Sequence, residues 1–427
     1  MSLDGKTLPL CETIAPADQA AVAEAIQNAG GRQMAVYPLG GGTRLDYGAK
    51  PTLPGIGLSL AKLNRVVDYP AADLTITVET GVTIAELSSL LAAQRQRLPI
   101  DIPQPDRATM GGAVALNAAG PRRYGYGSLR DYLLGFTAVD GRGLPFSGGG
   151  RVVKNAAGYN MCRLMAGSLG TLGVLTQVTL MIRPVAEASA LLVSNVPDFG
   201  RAEKLLAALV RSAARPVAVD FVAGRWPVDG QAMGGMPEGS PPEGNAGRLY
   251  VGFEGAAAEV AWMVDQLRDL WSSVGAGAPM VVLAADAEPV WRWLVDFPAN
   301  IQINVLPSDL VATVAKIVEM HPECAIQAHA GDGVIRISLP LPPGDGGAGE
   351  GGVAATTISS PVASISRLRA LAAAAGGKLV VLRHADGFAS TVADVWGPPG
   401  PEMRLMQSLK ERFDPHSILN PGRFSYC

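Results

Sequence analysis

The chain is short of the residues that build metal centres and disulfides. Its 427 residues include four Cys and four His. Cys11, Cys162, Cys324 and Cys427 stand too far apart to spell a zinc knuckle, an iron–sulfur run or a CxxC pair. His321, His329, His384 and His416 are scattered as well, so no metal site is expected. Charge of one sign is also missing: 35 basic against 38 acidic residues, net −3 and without a dense basic run, leaves no electrostatic footprint for nucleic acid or an anionic membrane. No stretch reaches the ~18 apolar residues of a spanning helix. Met1 to Leu10, with Asp4 and Lys6, lacks the apolar core of a signal peptide. The expected setting is soluble, reducing and cytoplasmic. Charged residues are 17% and aromatics 6%, but hydrophobic residues at 48% exclude a disordered chain.

Glycine and proline are what is abundant, 51 and 32, about a fifth of the chain. They follow no three-residue repeat, which excludes collagen, and the length allows two or three domains with proper cores. With so few titratable candidates, the chemistry falls to a bound cofactor or to the backbone.

The first third alternates helix and strand. A helix is expected over Pro16 to Asn28, stopped by Gly30-Gly31, with strands over Gln33 to Tyr37 and Leu74 to Glu79. Thr83 and Glu86 spell a capping box ahead of Leu87, Leu90 and Leu91. Asp140-Gly141 after Leu133 to Val139 signals a hairpin, and Val174 to Ile182 alternates as a strand. Beyond Pro184 come ordinary strands and amphipathic helices, among them Leu191 to Val196, Ala202 to Val210, Val260 to Trp271 and Ile326 to Ala330. This mixture points to an antiparallel sheet with helices on one face. Gly224 to Gly247 and Pro342 to Gly352 read as surface loops. The tail holds one more helix, Met403 to Phe413.

Three Gly-rich segments stand out. Ala35 to Tyr37 runs into Pro38-Leu39-Gly40-Gly41-Gly42-Thr43-Arg44, where several N–H groups can converge on one anion. A tight turn is the plainer reading of one such triplet. The second segment, Pro105-Asp106-Arg107-Ala108-Thr109-Met110-Gly111-Gly112 on to Gly120-Pro121, is so rich in small residues that something bulky must lie against its backbone. Gly111-Gly112 makes a poor helix interior there. The third carries Lys154-Asn155-Ala156-Ala157-Gly158 and then Gly167, Gly170 and Gly173. None fits the GxGxxG or GxxxxGK[ST] fingerprint.

In order and wording these segments resemble the FAD-linked oxidases of the vanillyl-alcohol oxidase (PCMH) type, most of all the glycolate oxidase FAD-binding subunits within it. The resemblance runs from Tyr37 to Pro184 and returns at Asp414-Pro415-His416-Ser417-Ile418-Leu419-Asn420-Pro421-Gly422-Arg423. Its most specific words are Ala108-Thr109-Met110-Gly111-Gly112, Gly120-Pro121-Arg122-Arg123 and Val153-Lys154-Asn155-Ala156-Ala157-Gly158-Tyr159.

The resemblance implies an α+β architecture, with a PCMH-type FAD domain over 1–184, an α+β cap over 185–399 and a tail, 400–427, that returns to the FAD domain. It implies that Pro38, Leu39, Gly40, Gly41, Gly42, Thr43 and Arg44 hold the pyrophosphate. Pro105, Thr109, Met110, Gly111, Gly112, Ala115 and Asn117 would run along pyrophosphate and ribityl. Gly120, Pro121, Lys154, Asn155, Gly173, Val174 and Asn420 complete the cofactor set, Val174 through its backbone toward the flavin. Relatives that bind FAD covalently place a His where Thr43 stands here, so non-covalent FAD is expected.

Gln327-Ala328-His329-Ala330-Gly331-Asp332-Gly333-Val334-Ile335-Arg336 is similar to the His-x-Gly-Asp-Gly-Asn-x-His stretch of related 2-hydroxyacid dehydrogenases, in which the closing His helps hold a metal and the substrate. Val334 and Arg336 depart from it. Arg336 then becomes a candidate carboxylate fork and His329 or His384 a candidate base, although Gly331-Asp332-Gly333 is equally a hairpin turn. The expected activity is FAD-dependent oxidation of a small 2-hydroxy acid, with electrons passing to a second flavin subunit and an iron–sulfur subunit, attached peripherally to the membrane if at all. Two alternatives stand: an FAD-binding relay subunit without efficient turnover, and a self-contained oxidase using oxygen.

Overall fold

The computed structural model describes residues 8–150, 159–225, 246–275, 279–340, 361–383 and 391–425. The chain forms two compact units, Met1–Val185 with Thr391–Cys427, and Ala186–Ser390.

In the first unit, Leu10–Ile14, Gly55–Ser59 and Ala35–Leu39 make a three-stranded parallel sheet in that order. The helix Gln19–Gly31 covers it, placing Val22, Ala25, Ile26 and Ala29 against Val36, Ile56 and Leu58 at the 3.6-residue period. It starts later than Pro16 because the Asp18 carboxylate caps it, accepting from Ala21 N at 2.9 Å. It also runs through Gly30 and Gly31 instead of stopping at them, and ends at Arg32, whose N–H bonds back to Asn28 and Ala29.

The second sheet is five-stranded and antiparallel, in the order Val66–Asp68, Thr75–Glu79, Val174–Met181, Leu133–Val139, Pro145–Gly149. Ile76, Val78, Phe136, Val178 and Leu180 meet in its core. The Asp140 signal does mark a hairpin, with a connection longer than two residues: its carboxylate accepts from Arg142 N and Leu144 N, each at 2.9 Å. The Thr83–Glu86 capping box is formed, and the helix it starts, Ile84–Ala92, buries Ile84, Leu87 and Leu91.

The returning tail is locked into this unit by its own helix, Met403–Phe413. Lys410 Nζ, buried, donates to Asp414 Oδ2 at 2.6 Å and to the carbonyls of Thr171 and Leu419 at 2.9 Å. Asp414 in turn accepts from Ile418 N and Leu419 N. Ile418 O and Asn420 N then pair with Val36, beside the end of the parallel sheet.

The second unit is built on an eight-stranded antiparallel sheet ordered Met280–Leu283, Ala188–Val196, Gly247–Gly255, Ala218–Gly224, Ala325–His329, Val334–Ser338, Ile301–Asn304, Lys378–Val381. Its helices do not keep to one face. Ala284–Val295 covers the side of Leu191, Val193, Ala218 and Val222, with Trp291 seated over Gly252. Phe199, opening the helix Phe199–Arg211, meets Phe221 on the alternate side at 6.2 Å between ring centroids. Strands buried on both faces read as continuous apolar runs, which hides the second layer of helix from the sequence. The stretches expected as surface loops, Gly224 to Gly247 and Pro342 to Gly352, lie for the most part outside the described residues. Among the described residues no helix is long and apolar enough to cross a membrane.

Candidate functional site

A two-armed groove opens in the first unit where the strand Ala35–Leu39 ends. The larger arm is lined by Gly40, Gly41, Gly42, Thr43, Arg44, Thr109, Gly112, Ala115, Asn420 and Arg423, with apolar walls from Leu8, Leu45, Ile102 and Ala108. The smaller is lined by Leu39, Gly111, Gly170, Gly173, Val174 and Leu175. Pro38, Gly40, Thr109, Gly112, Ala115 and Leu169 border both, so the arms are continuous. Mouths and adjoining solvent included, they hold about 860 and 430 Å³.

The glycines have different reasons to be there. A Cβ on Gly41 would run into the Arg107 carbonyl, and one on Gly40 into Thr109 Oγ1, so these two residues let the first and second Gly-rich segments close on each other. Arg107 Nη2 seals that contact by donating to Gly41 O at 3.2 Å. Against expectation, Met110–Leu116 is a helix, capped by Thr109, and Gly111 in its first turn lies against Thr80 with 2.7 Å between a built Cβ and Thr80 Cβ. Gly112 is the exception. A Cβ there would meet only Thr109 Oγ1, at 3.4 Å, and the remaining space belongs to the groove.

Pro105, Met110, Asn117, Gly120 and Pro121 line neither arm. Met110 points into the hydrophobic core. Asn117 ends the helix in a left-handed conformation and accepts from Arg130 N at 2.9 Å. Pro105 O accepts from Ala85 N, Gly120 is pressed on Asp101, and Pro121 is buried. Lys154 and Asn155 lie outside the described residues, as does His384.

Arg423 and Leu169 were not expected at the groove. Arg423 closes the very motif that supplied Asn420, and Leu169 sits inside the Gly167 to Gly173 run. Asn420 Nδ2 donates to Leu169 O at 2.6 Å, tying tail and turn together. Burial raises Tyr37, behind the groove, to about 12 against the pull of Arg423, and its hydroxyl donates to Leu53 O at 2.6 Å. Burial likewise pushes the Tyr47 phenol up.

In the second unit the strand register assembles a buried polar row. His329 lies opposite Asp220, and Arg336 opposite Gln327. Because residues two apart share a face, all four side chains meet. His329 Nδ1 is 2.7 Å from Asp220 Oδ1, and Gln327 Nε2 donates to Asp220 Oδ2 at 2.7 Å and to Leu294 O at 2.8 Å. Arg336 donates to Gln327 Oε1 at 3.0 Å and to Phe297 O at 3.3 Å. Arg336 thus anchors the row with two of its N–H donors, and the residue is only partly buried. Asp220 escaped the sequence reading because its partners, Gln327 and His329, stand more than a hundred residues away. The Ala330-Gly331-Asp332-Gly333 segment is the turn of the hairpin joining the strands of His329 and Arg336. Among the described residues no three His, Cys, Asp or Glu converge as metal ligands would.

Family models match both parts of the chain: an FAD binding domain over residues 12–147, and the C-terminal domain of FAD linked oxidases over residues 185–424. The chain belongs to the FAD-linked oxidases. It is similar to a D-lactate dehydrogenase of Archaeoglobus fulgidus, 30% identical over 96% of this chain and 90% of that one. It is also similar to the glycolate oxidase subunit GlcE of Escherichia coli, 42% identical over 29% of this chain and 36% of that one. Among solved structures, an alkyldihydroxyacetonephosphate synthase aligns with a TM-score of 0.68 at 17% identity, over 96% of this chain and 76% of that chain, a likeness of fold.

The cofactor of this FAD-linked oxidase is FAD, and the groove has the features to take it. Gly112 leaves room for a ligand against the backbone, Arg44 and Arg423 line the same arm as the Gly turn, and the walls mix the polar Thr43, Thr109 and Asn420 with the apolar Leu8, Leu45 and Ile102.

Proposed function

We propose that this FAD-linked oxidase oxidises the CH–OH group of a small 2-hydroxy acid to the 2-oxo acid. Gly40 to Arg44, Thr109, Gly112, Ala115, Gly173, Val174 and Asn420 hold FAD along the groove. Neither arm is lined by a His or Cys among the described residues, which supports non-covalent binding. Bound FAD supplies the two-electron acceptor.

The observation that carries the catalytic assignment is the Asp220–His329 contact. The carboxylate fixes the ring through Nδ1, and Nε2, engaged by none of the described residues, is left to take the hydroxyl proton. Gln327 and Arg336 keep Asp220 in place from behind. Dye-coupled turnover on glycolate and D-lactate tests the assignment. His329→Gln is expected to lower kcat ~100-fold, the scale of a lost proton acceptor. Asp220→Asn, which keeps the shape and loses the charge, should lower it ~10-fold with KM and FAD content little changed. Equal losses in kcat and FAD content would instead make Asp220 a packing residue.

A second reading is favoured by one observation: identity to the glycolate oxidase subunit reaches 42% within a 125-residue stretch. On it the chain carries FAD as one subunit of an assembly with a second flavin subunit and an iron–sulfur subunit, and relays electrons without efficient turnover of its own.

A further inference from the structure

Arg423 is a buried cation that forms no ion pair among the described residues. It lines the larger arm of the groove beside Arg44 and the Gly40 to Gly42 turn, yet is only 5% exposed. One guanidinium nitrogen donates to Leu45 O at 2.7 Å and the other to Ala49 O at 3.4 Å, so its internal partners are neutral carbonyls. Asp46 favours its charge through space, and among the described residues no carboxylate forms an ion pair with it. Burial accordingly pulls the guanidinium down to about 10. A charge removed from water in this way calls for an anion.

The fold also holds Arg423 firmly. Its carbonyl accepts from Ala49 N and from Trp396 Nε1, each at 3.1 Å. The Trp396 ring is itself braced edge-on by Phe424 and Tyr47. The side chain is therefore delivered to the groove at a fixed place, as an anion-binding group must be. Resting FAD carries its formal negative charge on the diphosphate alone.

We propose that Arg423, together with Arg44, supplies the positive charge that binds the FAD diphosphate. The tail and the first Gly-rich segment, nearly four hundred residues apart in sequence, then form one anion site. This rests on the reading that FAD occupies the groove.

The test is a titration of the full-length apoprotein, followed by flavin fluorescence, with FAD and with riboflavin, which lacks the diphosphate. ADP, which keeps it, serves as a competitor. Arg423→Gln retains one donor for the Leu45 carbonyl and removes the charge. It is expected to weaken FAD and ADP ~50-fold, the scale of a charged hydrogen bond, and to leave riboflavin within twofold. Arg423→Lys should stay within ~10-fold of wild type for FAD, and its binding should weaken as salt rises. Arg423→Lys also carries the test if the Gln variant does not fold. Unchanged FAD affinity in Arg423→Gln overturns the proposal, and so does an equal loss of FAD and riboflavin, the mark of a merely structural arginine. Salt-independent binding by Arg423→Lys overturns it too. If the wild-type protein takes up no FAD, the placement of FAD in the groove fails first, and the two failures are thereby told apart.

Discussion

Gly112→Leu is expected to lower FAD affinity roughly a thousandfold, about 4 kcal/mol, while leaving the apoprotein folded. The reasoning rests on what surrounds each glycine. At Gly40, Gly41 and Gly111 a side chain would strike the protein itself, so a loss of cofactor there would follow from a displaced loop. At Gly112 the built Cβ touches only Thr109 Oγ1, and both arms of the groove begin where the rest of the side chain would go. A glycine inside a helix costs ~1 kcal/mol relative to alanine. Among the described residues nothing accounts for that cost at this position, whereas a cofactor lying on the backbone would. The apoprotein of Gly112→Leu should therefore melt at or slightly above the wild-type temperature, and FAD should no longer raise it. Gly112→Ala is the graded control, with a smaller loss of affinity. A Gly112→Leu protein that loads FAD normally would contradict this placement.

Lys410→Met is expected to have the largest effect on stability, a loss of about 3–5 kcal/mol, as for breaking any buried ion pair from one side. Asp414 would keep its bonds from Ile418 N and Leu419 N but remain a charge sealed in the core. The carbonyls of Thr171 and Leu419 would lose their shared donor as well. Those carbonyls belong to the Gly turn that borders the groove and to the tail that carries Asn420 and Arg423. For a unit of this size the loss amounts to a fall of about 10 °C in melting temperature. Calorimetry of the apoprotein measures it. A fall of under ~2 °C, the mark of an ordinary surface position, would show that the tail is held by other means.

Local signals came through the sequence well, because each is satisfied within a few residues. The Thr83–Glu86 box and the helix Met403–Phe413 are formed as written. The resemblance to FAD-linked oxidases also gave the fold class and the cofactor, because several ordered words carried it together. What stayed hidden depends on partners far away along the chain. Gly111 and Gly112 both border the groove, and only the distant position of Thr80 makes Gly111 a packing residue as well. Met110 and Asn117 sit in the right segment but turn toward the core or cap the helix, a matter of helical phase. Asp220 meets His329 only once the eight-stranded sheet has set its register. Arg336 was picked by residue type alone, and its bonds to Gln327 and Phe297 form only once the sheet has set its register.

The most direct test of the proposed activity is to mix the FAD-loaded wild-type protein, alone and without oxygen, with excess D-lactate or glycolate and follow the flavin absorbance. Bleaching of the oxidised flavin band at a rate that His329→Gln lowers ~100-fold is the predicted result. A flavin that stays oxidised with every D- and L-2-hydroxy acid, yet is bleached by dithionite, would contradict the account and leave the chain as an electron-relay subunit.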